Sequence, residues 1–222
     1  MAKKVINSIL NFLFPQKCLG CGKENEVLCQ RCLESISYST LTKYSNIFAA
    51  SDYGDETVKK AIWMLKYRGI KGMADPLAEL MFQRLFQGRS FAFSKGSSFV
   101  IIPIPISPKS LKKRGFNQAE LIAKEFAKKI QASDVDAKNI GCLTDALYKI
   151  KETPSQVSIK NREQRLNNLK DAFAVKNSHL IAGRNILLID DVSTTGATIR
   201  EACRVLRESR AKKVIAAVVA RG

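Results

Sequence analysis

The chain has 222 residues, of which 45% are hydrophobic, and its 37 Lys and Arg residues against 20 Asp and Glu give a formal net charge of +17. This length and apolar content exclude a disordered protein and suffice for one substantial core with a small additional module. The positive excess makes a polyanion the first class of partner to consider. His179 is the single histidine, so Ser–His or Cys–His nucleophilic chemistry has no evident second member.

The first predicted element is a helix over the apolar run from Val5 to Phe14. Its apolar residues fall on one side of a 3.6-residue helix, and polar residues fall on the other. No small-residue cleavage site follows, and no segment reaches the roughly 20 apolar residues that span a bilayer. We expect this helix to pack on the protein's own core, with a membrane surface or a partner protein as alternatives. The protein is expected to be cytoplasmic, with at most peripheral contact at the inner face of the membrane.

Two Cys-x-x-Cys pairs follow, Cys18 with Cys21 and Cys29 with Cys32. Four thiolates in a segment too short for its own core are typical of tetrahedral zinc. Disulfides or another metal are the alternatives, although paired cysteines in a cytoplasmic protein are more often metal ligands. The sequence therefore predicts a structural zinc module.

Residues 1–43 are assigned to the helix and zinc module, and residues 44–222 to a second domain in which predicted strands alternate with helices. This alternation predicts an α/β fold with a parallel sheet flanked by helices. Trp63, Leu65 and Leu80 are predicted core residues. The first predicted strand begins near Tyr44, and the other predicted strands cover 99–104, 172–175, 186–189 and 214–219. The predicted helices cover 56–67, 76–86, 117–130 and 195–209.

The most informative segment runs from Ile186 to Thr198. Four consecutive aliphatic residues are typical of a strand covered on both faces, and we expect Asp190 and Asp191 to mark where it reaches solvent. Backbone N–H groups of the loop, together with the start of the next helix, suit an anion. An acidic strand end before an N-capped helix is the alternative interpretation. The candidate binding residues in the loop are Val192, Ser193, Thr194, Thr195, Gly196, Ala197 and Thr198.

This segment resembles the 5-phosphoribosyl-1-pyrophosphate (PRPP) fingerprint of type I phosphoribosyltransferases. The resemblance implies that fold, with Asp190 and Asp191 as the catalytic acids that hold the ribose hydroxyls directly or through Mg²⁺. It also implies that the loop cradles the 5-phosphate. In this chemistry a nitrogen attacks an anomeric carbon with oxocarbenium character, so positioning and charge stabilisation matter more than a protein nucleophile.

The segment from Pro103 to Gln118 is predicted to be a strongly basic loop, with no acidic residue between Lys95 and Gln118. A phosphoribosyltransferase needs such a loop, because cations, backbone donors and magnesium must hold the leaving pyrophosphate. The candidate pyrophosphate residues are Ile106, Ser107, Lys109 and Arg114.

The sequence Arg114-Gly115-Phe116-Asn117-Gln118, together with Pro103-Ile104-Pro105, narrows the resemblance to the ComF/ComFC family of competence-associated, phosphoribosyltransferase-like proteins. The cysteine pairs and a middle motif beginning at Thr153-Pro154-Ser155-Gln156 also match. The resemblance implies a DNA-uptake protein of natural transformation that binds single-stranded DNA and a PRPP-like ligand. A DNA-uptake helicase or an inner-membrane channel is the implied class of protein partner.

Two other functions remain open at this stage. One is an active phosphoribosyltransferase that acts on a nucleobase or nucleotide in salvage or repair. The other is a non-catalytic adaptor for a helicase or membrane channel. By analogy, residues 149–170 form a hood loop, in which Gln156, Arg162 and Arg165 could close over pyrophosphate or contact a nucleic-acid backbone.

A basic surface is the candidate DNA site. The alternative interpretation of the arginines on the flank of the last predicted helix is a solvated face that binds no ligand. Phe116 and Tyr148 are possible stacking partners for bases, although Phe116 also fits the core. The candidate DNA-binding residues are Lys112, Lys113, Arg114, Arg200, Arg204 and Arg207.

Overall fold

A computed structural model of the chain describes residues 17–38, 46–87, 99–133, 140–151 and 171–222. A five-stranded parallel sheet in the order β1-β7-β6-β2-β3 forms its centre, and β4 and β5 form a separate antiparallel pair. The predicted α/β class is confirmed. The strands are β1 Ile47–Asp52, β2 Phe99–Pro103, β3 Gly141–Cys142, β4 Leu147–Lys149, β5 Phe173–Val175, β6 Asn185–Ser193 and β7 Lys213–Arg221.

The four helices predicted after residue 44 are present, with ends that differ by a few residues, and two short helices were not predicted. A 3₁₀ turn at Lys71–Met73 precedes the helix that begins at Ala74, and a π turn at Gln83–Gln87 extends that helix. The α-helices are α1 Gln30–Glu34, α2 Glu56–Arg68, α3 Ala74–Phe82, α4 Pro108–Arg114, α5 Gln118–Ala132 and α6 Ala197–Glu208. The predicted helix over residues 5–14 lies outside the described residues.

The sheet is buried on both faces, as an uninterrupted aliphatic strand requires. On β6, Leu187 and Ile189 pack into the cluster beneath α2, α3 and α5, whereas Ile186 and Leu188 pack into the cluster beneath α6. Residues of β2 and β7 alternate in the same way. The strand ends that carry the predicted site are therefore held from both sides.

The core prediction is correct for Leu65 and Leu80, which are fully buried, but wrong for Trp63, which is 47% exposed. The core-facing stripe of α2 is made by Val58, Ala61, Ile62 and Leu65. Trp63 lies outside this stripe, so its ring points to solvent despite its apolar character. His179 is exposed.

The cysteine segment packs on the same core as the sheet. Leu33 and Ile36 belong to the cluster that contains Leu77 of α3. The buried Arg84 donates a hydrogen bond to the Ile36 carbonyl. Its guanidinium carbon lies 3.4 Å from the ring centroid of Tyr38. The boundary predicted between residues 43 and 44 lies outside the described residues. Within the described ranges, no helix is long and apolar enough to cross a bilayer.

Candidate functional site

The end of β6 and the loop after it carry the predicted phosphate site. The strand continues through both acids to Ser193, whose carbonyl accepts a hydrogen bond from the Gly222 N–H at 3.1 Å. Gly196 then adopts a left-handed φ of 71°, which turns the chain into α6. This turn aims the positive end of a three-turn helix at the carboxyl edge of the sheet.

Asp190 borders a small concavity against this loop. Burial, and next the negative charge of Asp191, raise the pKa of the Asp190 carboxyl to about 8, although the charge of Lys66 opposes the shift. The environment therefore disfavours an unpaired charge on Asp190 and suits a ligand that brings hydroxyl donors or a cation. The remaining residues that line the concavity are Val192, Ser193, Thr194, Gly196, Ala197, Thr198 and Ile199.

Asp191 has a different environment from Asp190. Its Oδ2 lies 2.9 Å from Lys66 Nζ of α2, and its side chain is 3% exposed, against 19% for Lys66. Burial alone would lower the pKa of Lys66, but the charges of Asp191 and Asp190 outweigh it and raise the pKa. The expectation that both carboxylates project into solvent is therefore wrong for Asp191.

This ion pair changes how the acids can be tested. Removing one partner of a buried pair leaves an uncompensated charge, at a cost of about 3 to 5 kcal/mol. A double alanine substitution at both acids would thus combine lost binding with lost stability. Asp190 is the acid whose replacement leaves the ion pair of Asp191 with Lys66 in place.

Lys66 was missed by the sequence analysis, although a signal for it exists. The core stripe of α2 includes Ile62 and Leu65, and a lysine four residues after Ile62 falls on the same side of the helix. A lysine on a core-facing stripe must meet a buried carboxylate or extend to solvent. The sequence could have marked Lys66 as a buried cation, but only the fold identifies Asp191 as its partner.

The segment from Pro103 to Gln118 is not a continuous loop as predicted, because it contains helix α4. Pro108 starts the helix, and the buried Ser107 hydroxyl caps it by accepting a hydrogen bond from the Ser110 N–H at 3.2 Å. Ser107 thus has a structural role at the place where a pyrophosphate contact was predicted. Ile106 is partly exposed before this cap, and Lys109, Lys112 and Lys113 are exposed on the helix.

The Arg114–Gln118 motif forms the turn between α4 and α5. Gly115 ends α4 with a left-handed φ of 79°. Asn117 begins α5 by accepting a hydrogen bond from the Ala119 N–H at 3.1 Å, and its amide donates to the Ile104 carbonyl at 3.0 Å. Arg114 donates a hydrogen bond to the Gln118 side chain. This turn fixes the basic helix α4 against the end of β2.

The three arginines of α6 differ in their surroundings. Arg204 forms ion pairs with Asp171, Glu201 and Glu208 at 2.7 to 2.8 Å, and these bonds raise its pKa. Its charge is therefore matched by neighbouring carboxylates, and its role at a DNA surface stays a prediction. Arg200 donates a hydrogen bond to the Thr195 carbonyl at 2.7 Å. It so supports the predicted phosphate loop, by which we mean the residues from Ser193 to Thr198. Arg207 is exposed.

The four cysteines converge as predicted. The sulfur atoms of Cys18, Cys21, Cys29 and Cys32 all lie within 4.8 Å of one another, and this arrangement could hold a metal such as zinc. Burial would raise the pKa of Cys18, but backbone N–H groups of Cys29, Cys21 and Gly20 outweigh it and lower the pKa to about 6. Several amides thus already point at one sulfur, as expected of a thiolate ligand.

Of the predicted stacking residues, Phe116 is buried beneath Lys71, whose Nζ lies 5.3 Å from the ring centroid. Tyr148 is 45% exposed on β4. The hood residues Gln156, Arg162 and Arg165 lie outside the described residues.

Comparison with known proteins agrees with this geometry. The family model for the phosphoribosyl transferase domain matches residues 110–222. Competence protein F of Haemophilus influenzae is 31% identical over 109 residues, which cover 49% of this chain and 44% of that protein. Competence protein ComFC of Streptococcus pneumoniae is 38% identical over 120 residues, which cover 54% and 47%. The chain thus aligns with less than half the length of these two relatives.

A third relative aligns over most of its length. DNA utilization protein YhgH of Salmonella typhi is 27% identical over 206 residues, which cover 91% of this chain and 81% of that protein. This alignment extends well beyond the residues that the family model matches.

We predict that the purified chain contains one zinc per molecule, and that Gly20→Ala lowers its zinc affinity. A Cβ at position 20 would lie 2.7 Å from Cys32 Sγ, so this ligand would have to move. Disturbing the support of a metal ligand weakens binding by about tenfold or more. Competition with a chromogenic chelator measures the affinity.

Gly54→Ala is the matched control, because no atom lies within 4 Å of the added Cβ. It should leave zinc affinity unchanged. Purified protein without zinc, or equal affinity of the Gly20→Ala variant and the wild type, would contradict the assignment.

A second prediction concerns Asp190 and pH. The folded-state pKa near 8 lies above the ordinary value of 3.8, so between these values the folded protein holds a proton that the unfolded chain has released. Stability should therefore fall as pH rises from about 4 to about 8. Asp190→Asn removes this loss, which is about 1.4 kcal/mol per pKa unit, and should be the more stable form at pH 8. Urea unfolding at several pH values tests this.

The control is Asp145→Asn, which replaces an exposed carboxylate. Its unfolding free energy should follow the wild-type pH dependence. If Asp190→Asn follows the wild-type curve as well, Asp190 does not titrate in this range.

Proposed function

Because the chain belongs to the phosphoribosyl transferase domain family and is a ComF/ComFC-type member of it, we propose that it is a DNA-uptake protein that binds both a PRPP-like ligand and single-stranded DNA. The observation that carries the ligand part is Asp190 beside a threonine- and glycine-rich loop at the start of α6. Two competence proteins and a DNA utilization protein among the relatives support the DNA part.

In the proposed complex the 5-phosphate lies against the loop from Ser193 to Thr198. Backbone N–H groups of the loop and the α6 terminus supply positive partial charges without a lysine, which is the usual way for such a loop to hold phosphate. Asp190 then meets the ribose hydroxyls at the other end of the concavity. A hydroxyl donor stabilises the carboxylate form that burial disfavours.

The pyrophosphate group of the ligand would lie toward α4. Lys109 and Arg114, both named from the sequence, belong to this helix, and the acid-free sequence around it leaves a positive field for several phosphate charges. Magnesium bound with PRPP would neutralise part of the same charge. In this proposal Ser107 contributes by capping α4 and not by binding the ligand.

The buried pair of Lys66 and Asp191 gives the two acids separate tasks. Lys66 neutralises Asp191 within the protein, so Asp191 anchors α2 beside the site while Asp190 is left to contact the ligand. We propose that ligand affinity depends on the Asp190 carboxylate directly and on Asp191 through positioning.

Single-stranded DNA is the proposed polymer partner because the net charge of +17 is concentrated in acid-free stretches. Lys112, Lys113 and Arg114 extend this charge along α4, the helix that follows the strand next to β6. A DNA-uptake helicase or an inner-membrane channel is the class of protein partner that the proposed role implies.

We predict that PRPP with Mg²⁺ binds the wild-type protein and that Asp190→Asn weakens binding about 10- to 150-fold. The loss of a hydrogen bond to a charged group is about 1.5 to 3 kcal/mol. Isothermal titration calorimetry measures both affinities, and the substitution keeps the size of the side chain. Asp145→Asn should bind as the wild type does. Equal affinity of the Asp190→Asn variant and the wild type would remove Asp190 from the pocket.

The DNA prediction concerns salt. Affinity for an oligothymidylate should fall with a log–log slope of about −0.7 per contacted phosphate, and Lys112→Glu with Lys113→Glu and Arg114→Glu should flatten that slope. Fluorescence anisotropy at several salt concentrations measures it.

A control triple, Lys124→Glu with Lys128→Glu and Lys176→Glu, changes the net charge equally at exposed lysines elsewhere. Its slope should stay closer to that of the wild type. If both triple variants behave alike, binding depends on net charge and not on α4.

A further inference from the structure

Two aromatic side chains stand exposed on α2. Trp63 is 47% exposed and Tyr67 is 63% exposed, one helical turn apart. Their ring centroids lie 6.2 Å apart with an interplanar angle of 45°. A single exposed aromatic ring is common on a protein surface, but two neighbouring rings form a contiguous apolar patch. Such a patch is typical of a surface that a ligand or partner covers.

Guanidinium groups flank both rings. The Arg68 guanidinium carbon lies 5.8 Å from the Trp63 ring centroid, and that of Arg114 lies 5.9 Å from the Tyr67 ring centroid. Arg68 belongs to α2 and Arg114 to α4, so the pair of rings joins the two helices. We call Trp63, Tyr67, Arg68 and Arg114 the aromatic–arginine surface.

The sequence around this surface carries mostly positive charge. Between Thr57 and Ala74 the sequence contains five Lys or Arg residues and no acid, and α4 is also free of acids. Lys59 pairs with Glu56 and Lys66 with Asp191, whereas the guanidinium groups of Arg68 and Arg114 lie beside the rings. An apolar protein partner would have to remove these guanidinium groups from water, which is costly. A polyanion gains from the same charges. The surface therefore fits a ligand that combines negative charge with flat apolar rings.

The location of the surface ties it to the phosphate site. Lys66, the residue directly before Tyr67, forms the ion pair with Asp191, and this contact holds α2 at the end of β6. Arg114 connects the surface with the basic helix α4. A strand bound on α4 would thus pass the two rings.

We propose that the aromatic–arginine surface stacks unpaired bases of single-stranded DNA, with Trp63 and Tyr67 each able to take one base and the arginines contacting adjacent phosphates. The inference rests on the proposed DNA-binding function and specifies where the bases bind. Duplex DNA fits poorly, because its bases are already stacked on one another and offer no free face. Stacking on aromatic side chains is the general way in which unpaired bases are held without sequence preference.

Trp63 is the single tryptophan of the chain, so intrinsic tryptophan fluorescence reports this position alone. We expect an oligothymidylate to quench it on binding. An abasic oligonucleotide of equal length, which carries the same phosphates without bases, should bind more weakly and leave the emission nearly unchanged. Binding of both oligonucleotides with equal quenching, or binding of the oligothymidylate with no change in emission, would overturn the inference.

Substitutions give the second test, with anisotropy of a labelled oligothymidylate as the readout. Trp63→Leu and Tyr67→Leu should each weaken binding about tenfold, as expected for the loss of one stacked base. Trp63→Phe and Tyr67→Phe, which keep an aromatic face, should retain most of the affinity. The salt slope should stay unchanged in all four variants, because none of them alters a charge.

Tyr38→Leu is the matched control, because Tyr38 is 57% exposed and lies beside an arginine, Arg84, but belongs to neither α2 nor α4. Its affinity should equal that of the wild type. Full affinity of both leucine variants, with a normal salt slope, would overturn the stacking surface and leave the proposed function intact. If the wild-type protein binds no single-stranded DNA, the proposed function and this inference both fail. Since both rings are exposed, thermal unfolding should show every variant to be folded.

Discussion

The ion pair between Lys66 and Asp191 is the interaction on which the rest of the site depends. It joins α2 to the carboxyl end of β6 across a largely buried contact of 2.9 Å. Because Asp191 is neutralised there, Asp190 becomes the acid that faces the phosphate loop. The same contact fixes the helix that carries Trp63 and Tyr67. One buried charge pair thus positions the proposed ligand site and the proposed base-binding surface together.

The fold determines where these groups meet. Carboxyl ends of neighbouring parallel strands share one edge of the sheet, so the chain segments after β2 and β6 emerge side by side although nearly 90 residues separate them. The basic helix α4 follows one strand and the phosphate loop follows the other. Local signals strengthen this arrangement, since Ser107 and Asn117 begin their helices and Gly115 and Gly196 turn the chain with positive φ.

Features set by local chemistry could be predicted from the sequence, and features set by tertiary contact could not. The aliphatic run of β6, the glycine turn into α6 and the converging cysteines follow from short patterns whose physical requirements are local. Trp63 was assigned to the core because its apolar character was given more weight than its angular position on α2. The partner of Lys66 lies more than 100 residues away, so no local pattern identifies it. Likewise, the carboxylates that surround Arg204 include Asp171, which precedes α6 by more than 25 residues.

The shared core of the cysteine segment and the sheet has a mechanical consequence. Leu33 and Ile36 pack in the same cluster as the residues of α3. Arg84 also donates a hydrogen bond to the Ile36 carbonyl. A module on a flexible tether samples many orientations, and its reach grows with the length of the tether. The cysteine cluster instead packs on the same core as the sheet. A macromolecule that docks on the cysteine cluster is therefore held in one orientation and at one distance relative to the phosphate loop.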